Sequence, residues 1–136
     1  MRPSLCAAAA LLLVWLPFSA SAAGKVALVI GNSKYRFTSE LENPKNDATD
    51  ISTALTRLGF DVISGLDLDK PGMDAKIKQF AGTLEGAHSA VLFYAGHGLQ
   101  VSGQNYLVPV DAKLESADSL DFETISIEFV QKIMER

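Results

Sequence analysis

The sequence predicts an α/β fold, a doubly wound, mainly parallel sheet with helices on both faces. Three observations carry this expectation. Continuously apolar runs occur at Val26–Ile30 and Ala90–Tyr94, as strands buried on both faces of a parallel sheet require. Between them lie segments whose apolar residues return at helical spacing. The resulting order is strand, helix, strand, helix, strand, hairpin, helix, the alternation from which such sheets are built.

Lys25 to Ile30 is the first strand, and Gly31-Asn32-Ser33 ends it. Lys34 to Pro44 is a polar loop carrying Tyr35 and Phe37. Asn46 is expected to cap the first helix, and Asp47 and Asp50 suit the positive end of its dipole. Ala48, Ile51, Leu55 and Leu58 mark the face that packs on the sheet. Gly59 closes the helix in the left-handed conformation, and Phe60 to Leu66 is the second strand.

Asp67 to Gly72 is a polar connection with carboxylates at Asp67 and Asp69. The ligand pattern of a calcium loop is missing, so a solvated turn is expected there. Met73, Ile77, Phe80, Ala81 and Leu84 form the face of a second helix. The third strand is expected at the centre of the sheet. His88 precedes it, at the end of the sheet opposite His97, and reads as structural or solvated. Leu99–Val101 and Asn105–Leu107 flank Ser102-Gly103-Gln104, a hairpin signal. Asp111 to Glu123 is acidic and irregular. Ser126 caps a last helix carrying Ile127, Val130 and Ile133 or Met134 on one face.

The first residues read differently. Arg2 is followed by an apolar run from Leu5 to Phe18 and then by Ala20-Ser21-Ala22, a small-x-small cleavage signal. Residues 1–22 are therefore expected to be a secretory signal peptide, and the run is short for a retained membrane anchor. Residues 23–136 would form one domain, secreted or periplasmic, with no membrane attachment after cleavage. The one cysteine, Cys6, falls inside the leader. The mature chain then has no disulfide and no thiolate metal ligand, and neither a metal nor a cofactor is expected. With 12 basic and 16 acidic residues and no basic cluster, the chain does not look built for nucleic acid. A phosphate-binding loop is also absent from Gly31-Asn32-Ser33-Lys34.

The stretch with chemistry in it is Tyr94-Ala95-Gly96-His97-Gly98. A titratable ring is delivered just past the carboxyl end of a strand, the edge of an open α/β sheet where ligands bind. Histidine is the commonest general acid or base, although it is also ordinary in loops.

Phe93-Tyr94-Ala95-Gly96-His97-Gly98 resembles the histidine motif of the caspase-like cysteine peptidases, the group that holds caspases, metacaspases, paracaspases and their bacterial relatives. Val26-Ala27-Leu28-Val29-Ile30-Gly31-Asn32 with Tyr35 resembles that family's first strand and following loop. Asn105-Tyr106-Leu107-Val108-Pro109-Val110-Asp111-Ala112 is similar to the segment after the histidine hairpin in bacterial members. The likeness runs from about Lys25 to the end.

That resemblance implies a caspase-like fold, incomplete at its C-terminus, and a cysteine endopeptidase acting on polypeptides. His97 matches the catalytic histidine. Gly98 matches the glycine whose backbone N–H helps form the oxyanion hole. Asp47 looks like the aspartate with which metacaspases line a pocket for a basic P1 side chain; a plain helix-start carboxylate is the other reading. In caspases the histidine precedes the nucleophilic cysteine by about 50 residues, which puts the thiol near position ~147. The chain thus reads as the front of the larger (p20) subunit, whose partner is the missing C-terminal part of the catalytic domain. A non-catalytic caspase-like module for binding or regulation is the alternative.

Overall fold

A computed structural model describes residues 24–135. The expected signal peptide, residues 1–22 with Cys6, lies outside the described residues. The rest is a mixed α/β structure in which a three-stranded parallel sheet is flanked by helices. The sheet contains β1 (Lys25–Gly31), β2 (Asp61–Leu66) and β3 (Ser89–Ala95), in the order β2-β1-β3. The helices α1 (Pro44–Arg57) and α2 (Lys70–Ala81) provide the two crossovers.

β1 is the axis of the sheet because its apolar run is unbroken. Residues Val26 to Ile30 are all 7% exposed or less. Their side chains alternate between faces, as strand geometry demands. Ala27 and Val29 pack with Ala48, Ile51 and Leu55 of α1. Val26, Leu28 and Ile30 pack with Met73, Ile77 and Phe80 of α2 and with Val130 of a later helix. One apolar strand thus nucleates two cores, and helices cover both faces.

Among the described residues the histidine strand, expected as a central strand of the fold but with one side left without a neighbour in this chain, lies at an edge of the sheet. β3 pairs with β1 on one side, and no other described strand adjoins it. All its residues are only half-buried. Its composition suits a central strand because composition reports the two faces and says nothing of the lateral neighbours.

The starts of both helices also depart from expectation. α1 begins at Pro44, not after Asn46, and its N-cap residue is Asn43, whose side chain makes no capping bond. Proline is suited to the first helical position, since its fixed φ is helical and it has no N–H to satisfy. The next N–H, of Lys45, donates to Ser33 Oγ at 3.3 Å, so the cap comes from the distant loop. α2 starts inside the expected polar connection. Asp69 is its N-cap and accepts the Gly72 N–H at 2.9 Å. Asp111 Oδ1 accepts the Lys70 N–H at 2.8 Å. A carboxylate at this place serves the orphan donors of a helix start.

After β3 the chain builds a second, antiparallel sheet from β4 (Gly98–Val101), β5 (Gln104–Leu107) and β6 (Ile125–Ser126), in that order. The expected hairpin is present. Ser102 and Gly103 both have positive φ, 51° and 80°, the signature of a two-residue turn that follows strand twist. A 3₁₀ turn (Ala117–Ser119) and the short α3 (Leu120–Glu123) interrupt the segment expected to be irregular. α4 (Ile127–Met134) then begins at Ser126, whose Oγ accepts the Phe129 N–H at 3.3 Å, as the sequence predicts. No helix among the described residues is long and apolar enough to cross a membrane.

An unpaired parallel strand edge invites another strand. A protein comprising residues 23–136 is expected to self-associate at micromolar concentration in sedimentation velocity. A clean monomer with a cooperative melt would contradict this.

Candidate active site

The carboxyl ends of β1 and β3 are tied together just ahead of His97. The Asn32 N–H donates to the Ala95 carbonyl at 2.9 Å, continuing the ladder. The Asn32 side chain is fully buried. Its Oδ1 accepts the Leu68 N–H at 2.9 Å, and its Nδ2 donates to Val108 O at 3.3 Å and Leu68 O at 3.4 Å. One amide therefore joins β1, the β2–α2 connection and the segment after β5.

The loop after β1 is pinned from the side by Asp67. This residue adopts φ 51° and accepts the N–H groups of Ser33 and Lys34 on one oxygen, at 2.9 and 3.0 Å. Its other oxygen pairs with Lys45 Nζ at 3.1 Å. Burial alone would raise the Asp67 pKa; the two N–H donors and the Lys45 ammonium outweigh it and hold the carboxyl below the usual carboxylate range. The pair Asp67 and Asp69, weighed in the sequence as cation ligands, is thus engaged in fixing a loop and capping a helix.

His97 sits just beyond β3, and its backbone is held by two tyrosines. The His97 N–H donates to Tyr35 Oη at 2.8 Å. Tyr94 Oη lies 2.8 Å from the His97 carbonyl and 2.9 Å from the Val108 carbonyl, with one proton to share between them. The two hydroxyls are 3.1 Å apart. Burial pushes the phenols of Tyr35 and Tyr94 upward, so both stay protonated donors. Gly96 is what lets the hydroxyls approach. A β-carbon there would lie 2.5 Å from both oxygens.

The ring of His97 has a separate anchor. Its Nε2 is 2.8 Å from the Ser39 carbonyl. A carbonyl only accepts, so Nε2 carries a proton in this arrangement. Nδ1 is then the nitrogen free to exchange one. The Tyr35 ring meets the imidazole edge-on, centroids 4.5 Å apart, and limits its tilt. Ser39 escaped the sequence reading because the contributing atom is a backbone oxygen, which any residue type supplies.

Gly98 opens β4 opposite Leu107 and is exposed. The Val108 N–H donates to the His97 carbonyl at 3.1 Å, extending the ladder by one bond, while the His97 N–H turns to Tyr35 instead. Antiparallel ladders alternate, so Gly98 and Leu107 form a non-hydrogen-bonded pair and the Gly98 N–H points away from β5. Asp47 lies on the first turn of α1, exposed, with its N–H bonded to the Asn43 carbonyl at 3.0 Å. The N-terminus of α1 follows the carboxyl end of β1, so Asp47 and His97 belong to the same edge of the sheet. Nearby, Ser33, Lys45 and Asn46 border an open cleft of about 570 Å³. His88, by contrast, is exposed at the opposite end, within reach of Ser89 Oγ at 3.3 Å.

A family model for the caspase domain, peptidase C14, matches residues 24–135. The chain belongs to the caspase domain family. Two curated proteins are similar to it. The human mucosa-associated lymphoid tissue lymphoma translocation protein 1 (Homo sapiens) is 40% identical over 88 residues, covering 65% of this chain and 11% of that protein. Its mouse homolog (Mus musculus) is 39% identical over 88 residues, with the same coverage. The chain thus spans about a tenth of the length of these relatives. Within the caspase family the α/β sheet just described is the expected scaffold, and the resemblance read from the sequence holds.

Two outcomes follow from this geometry. Gly96→Ala drives a methyl group into the tyrosine pair and is expected to destabilise the fold by about 1–3 kcal/mol, measured by thermal or urea unfolding. Asp67 has a lowered folded pKa, so its contribution is complete above the unfolded value of about 4 and is lost as pH falls through the folded value. The melting temperature should drop below pH ~4, and Asp67→Asn should flatten that part of the profile while lowering stability at neutral pH.

Proposed function

We propose that the chain is the histidine-bearing part of a cysteine endopeptidase of the caspase and metacaspase type. The observation that carries this reading is the bond from His97 Nε2 to the Ser39 carbonyl. It fixes the tautomer and the ring plane, as a general acid and base requires. The reading requires a thiol that residues 23–136 do not contain, since the one cysteine of the sequence is Cys6. The leader-like stretch from Leu5 to Phe18 supports a secreted or periplasmic location.

The steps follow from the residues. Nδ1 of His97 takes the thiol proton, giving a thiolate and an imidazolium. The thiolate attacks the scissile carbonyl carbon, and the Gly98 N–H donates to the oxyanion that forms. The imidazolium Nδ1–H passes its proton to the leaving amine as the C–N bond breaks, leaving a thioester. Water, deprotonated by the neutral ring, hydrolyses the thioester and frees the thiol. Asp47 supplies the negative charge for an Arg or Lys side chain at P1.

A second reading is a caspase-like module without catalysis, used for binding or regulation. The position of Cys6, ahead of the caspase domain, is the observation in its favour. The native product, as made by its own host, distinguishes the two. It is expected to cleave an Arg-terminated fluorogenic peptide and to ignore the Asp-terminated one. His97→Ala should lower kcat by about 10²–10⁴-fold. Asp47→Asn should lower kcat/KM for the Arg peptide roughly tenfold to a hundredfold, the worth of one hydrogen bond to a charge. A product inert to both peptides supports the binding module.

A further inference from the structure

The His97 ring takes its bearing from the Ser39 carbonyl, and the loop that presents this carbonyl is closed at its base. The Leu41 N–H donates to the Ser33 carbonyl at 3.0 Å, which closes residues 33–41 on themselves. Ser33 is the residue on which that closure rests. Its own N–H goes to Asp67 Oδ1 at 2.9 Å, and its Oγ accepts the Lys45 N–H at 3.3 Å. The Lys34 N–H joins the same oxygen of Asp67 at 3.0 Å. Beyond Arg36 the loop is exposed from Phe37 to Glu40. The ring anchor is therefore carried on a surface segment that is fixed at its root.

Asp67 is shaped to serve that root. Its N–H donates to the Gly31 carbonyl at 2.9 Å, so its backbone stays on the end of the parallel sheet. Its φ of 51° is uncommon outside glycine, and aspartate tolerates it better than most residues do. The turn brings the carboxylate to the two N–H groups that follow β1. Lys45, at the start of α1, faces the other oxygen at 3.1 Å. Bonds from backbone N–H groups to a charged acceptor are roughly twice as strong as neutral ones. The contacts nearer the tip are weaker. Lys34 and Glu40 are 3.7 Å apart and well exposed, and Lys113 Nζ, 5.3 Å from the Phe37 centroid, belongs to an exposed residue.

We infer that Asp67 is a positioning residue, which holds the His97 ring in the single tautomer that leaves Nδ1 free, acting through Ser33, Leu41 and the Ser39 carbonyl. It touches no reacting atom. Its effect on rate rests on the peptidase reading, whereas its effect on the ring does not. Tyr35 belongs to the same loop, but it is buried and bonded to the His97 N–H and the Val108 carbonyl. The turn that carries His97 therefore stays in place when the ring is released.

The full chain, with heavy nitrogen in its histidine rings, tests this without a thiol. At mildly alkaline pH, wild-type His97 is expected to show one protonated and one bare ring nitrogen, while the exposed His88 shows averaged shifts. Asp67→Gly suits the φ and lacks the acceptor, and it should collapse the His97 shifts to the averaged pair. Asp67→Asn keeps an acceptor oxygen and should keep most of the separation. Asp69→Ala removes the N-cap of α2 and lowers stability, yet should leave the ring as in the wild type, as should Lys113→Ala. A second measurement needs no variant. In the wild type, the Leu41 N–H and the His97 Nε2–H should open to exchange together as denaturant is added, because the loop leaves as one unit. Separate shifts in folded Asp67→Gly, the same collapse in Asp69→Ala, or a ring proton that exchanges while Leu41 stays protected would each overturn the assignment. In the native product, Asp67→Gly should lower kcat on the order of tenfold to a hundredfold with KM nearly unchanged. A released ring with unchanged kcat would overturn the role in the reaction. A released ring in the variant, beside a wild-type product that cleaves no peptide, would leave the anchor standing and sink the peptidase reading alone.

Discussion

The whole site edge depends on one buried amide. Asn32 emerges from the central strand at the point where three other segments converge. It offers a donor and an acceptor to backbone groups that would otherwise be buried without partners. Such groups cost about 1–3 kcal/mol each when left unpaired. No apolar residue of similar volume can replace that service. The β2–α2 connection and the segment after β5 therefore take their positions from the end of β1. The tyrosine pair then builds on Val108, the same residue whose carbonyl Asn32 holds.

His97 is served by two arrangements of different character. Its main chain is locked by buried hydroxyls from β3 and from the loop after β1, whereas its ring leans on an exposed carbonyl at Ser39. The first is part of the hydrophobic framework. The second is part of the surface. Asp67 joins them, since it fixes Ser33 and Lys34 at the root of the loop that later presents Ser39.

Much of this was legible in the residues. The unbroken run Val26–Ile30, the helical spacing of Ala48, Ile51 and Leu55, and the hairpin at Ser102-Gly103 each have one good physical solution, and each took it. Two kinds of feature were not. Lateral order in a sheet leaves no trace in the residues of a strand such as Val91–Tyr94. Caps supplied from a distance leave none either: Ser33 serves α1, and Asn46, the locally better cap, is a first-turn residue instead. At the carboxyl edge of the sheet, the turn carrying Gly96, His97 and Gly98 was legible in the residues. Ser39 was not, because it acts through a backbone oxygen.

The division between backbone lock and ring anchor has a consequence for how such a domain ages. Backbone shifts at the exposed residues Thr38 to Glu40 would move the Ser39 carbonyl, and with it the imidazole, while leaving the buried tyrosine lock in place. Drift there would turn the ring before it disturbed the architecture. Duplicated copies of this scaffold can then outlive their original task as intact folds, retaining the glycines and tyrosines around His97 as relics of packing. The motif by itself is thus a record of packing around Gly96 as much as of anything the ring does.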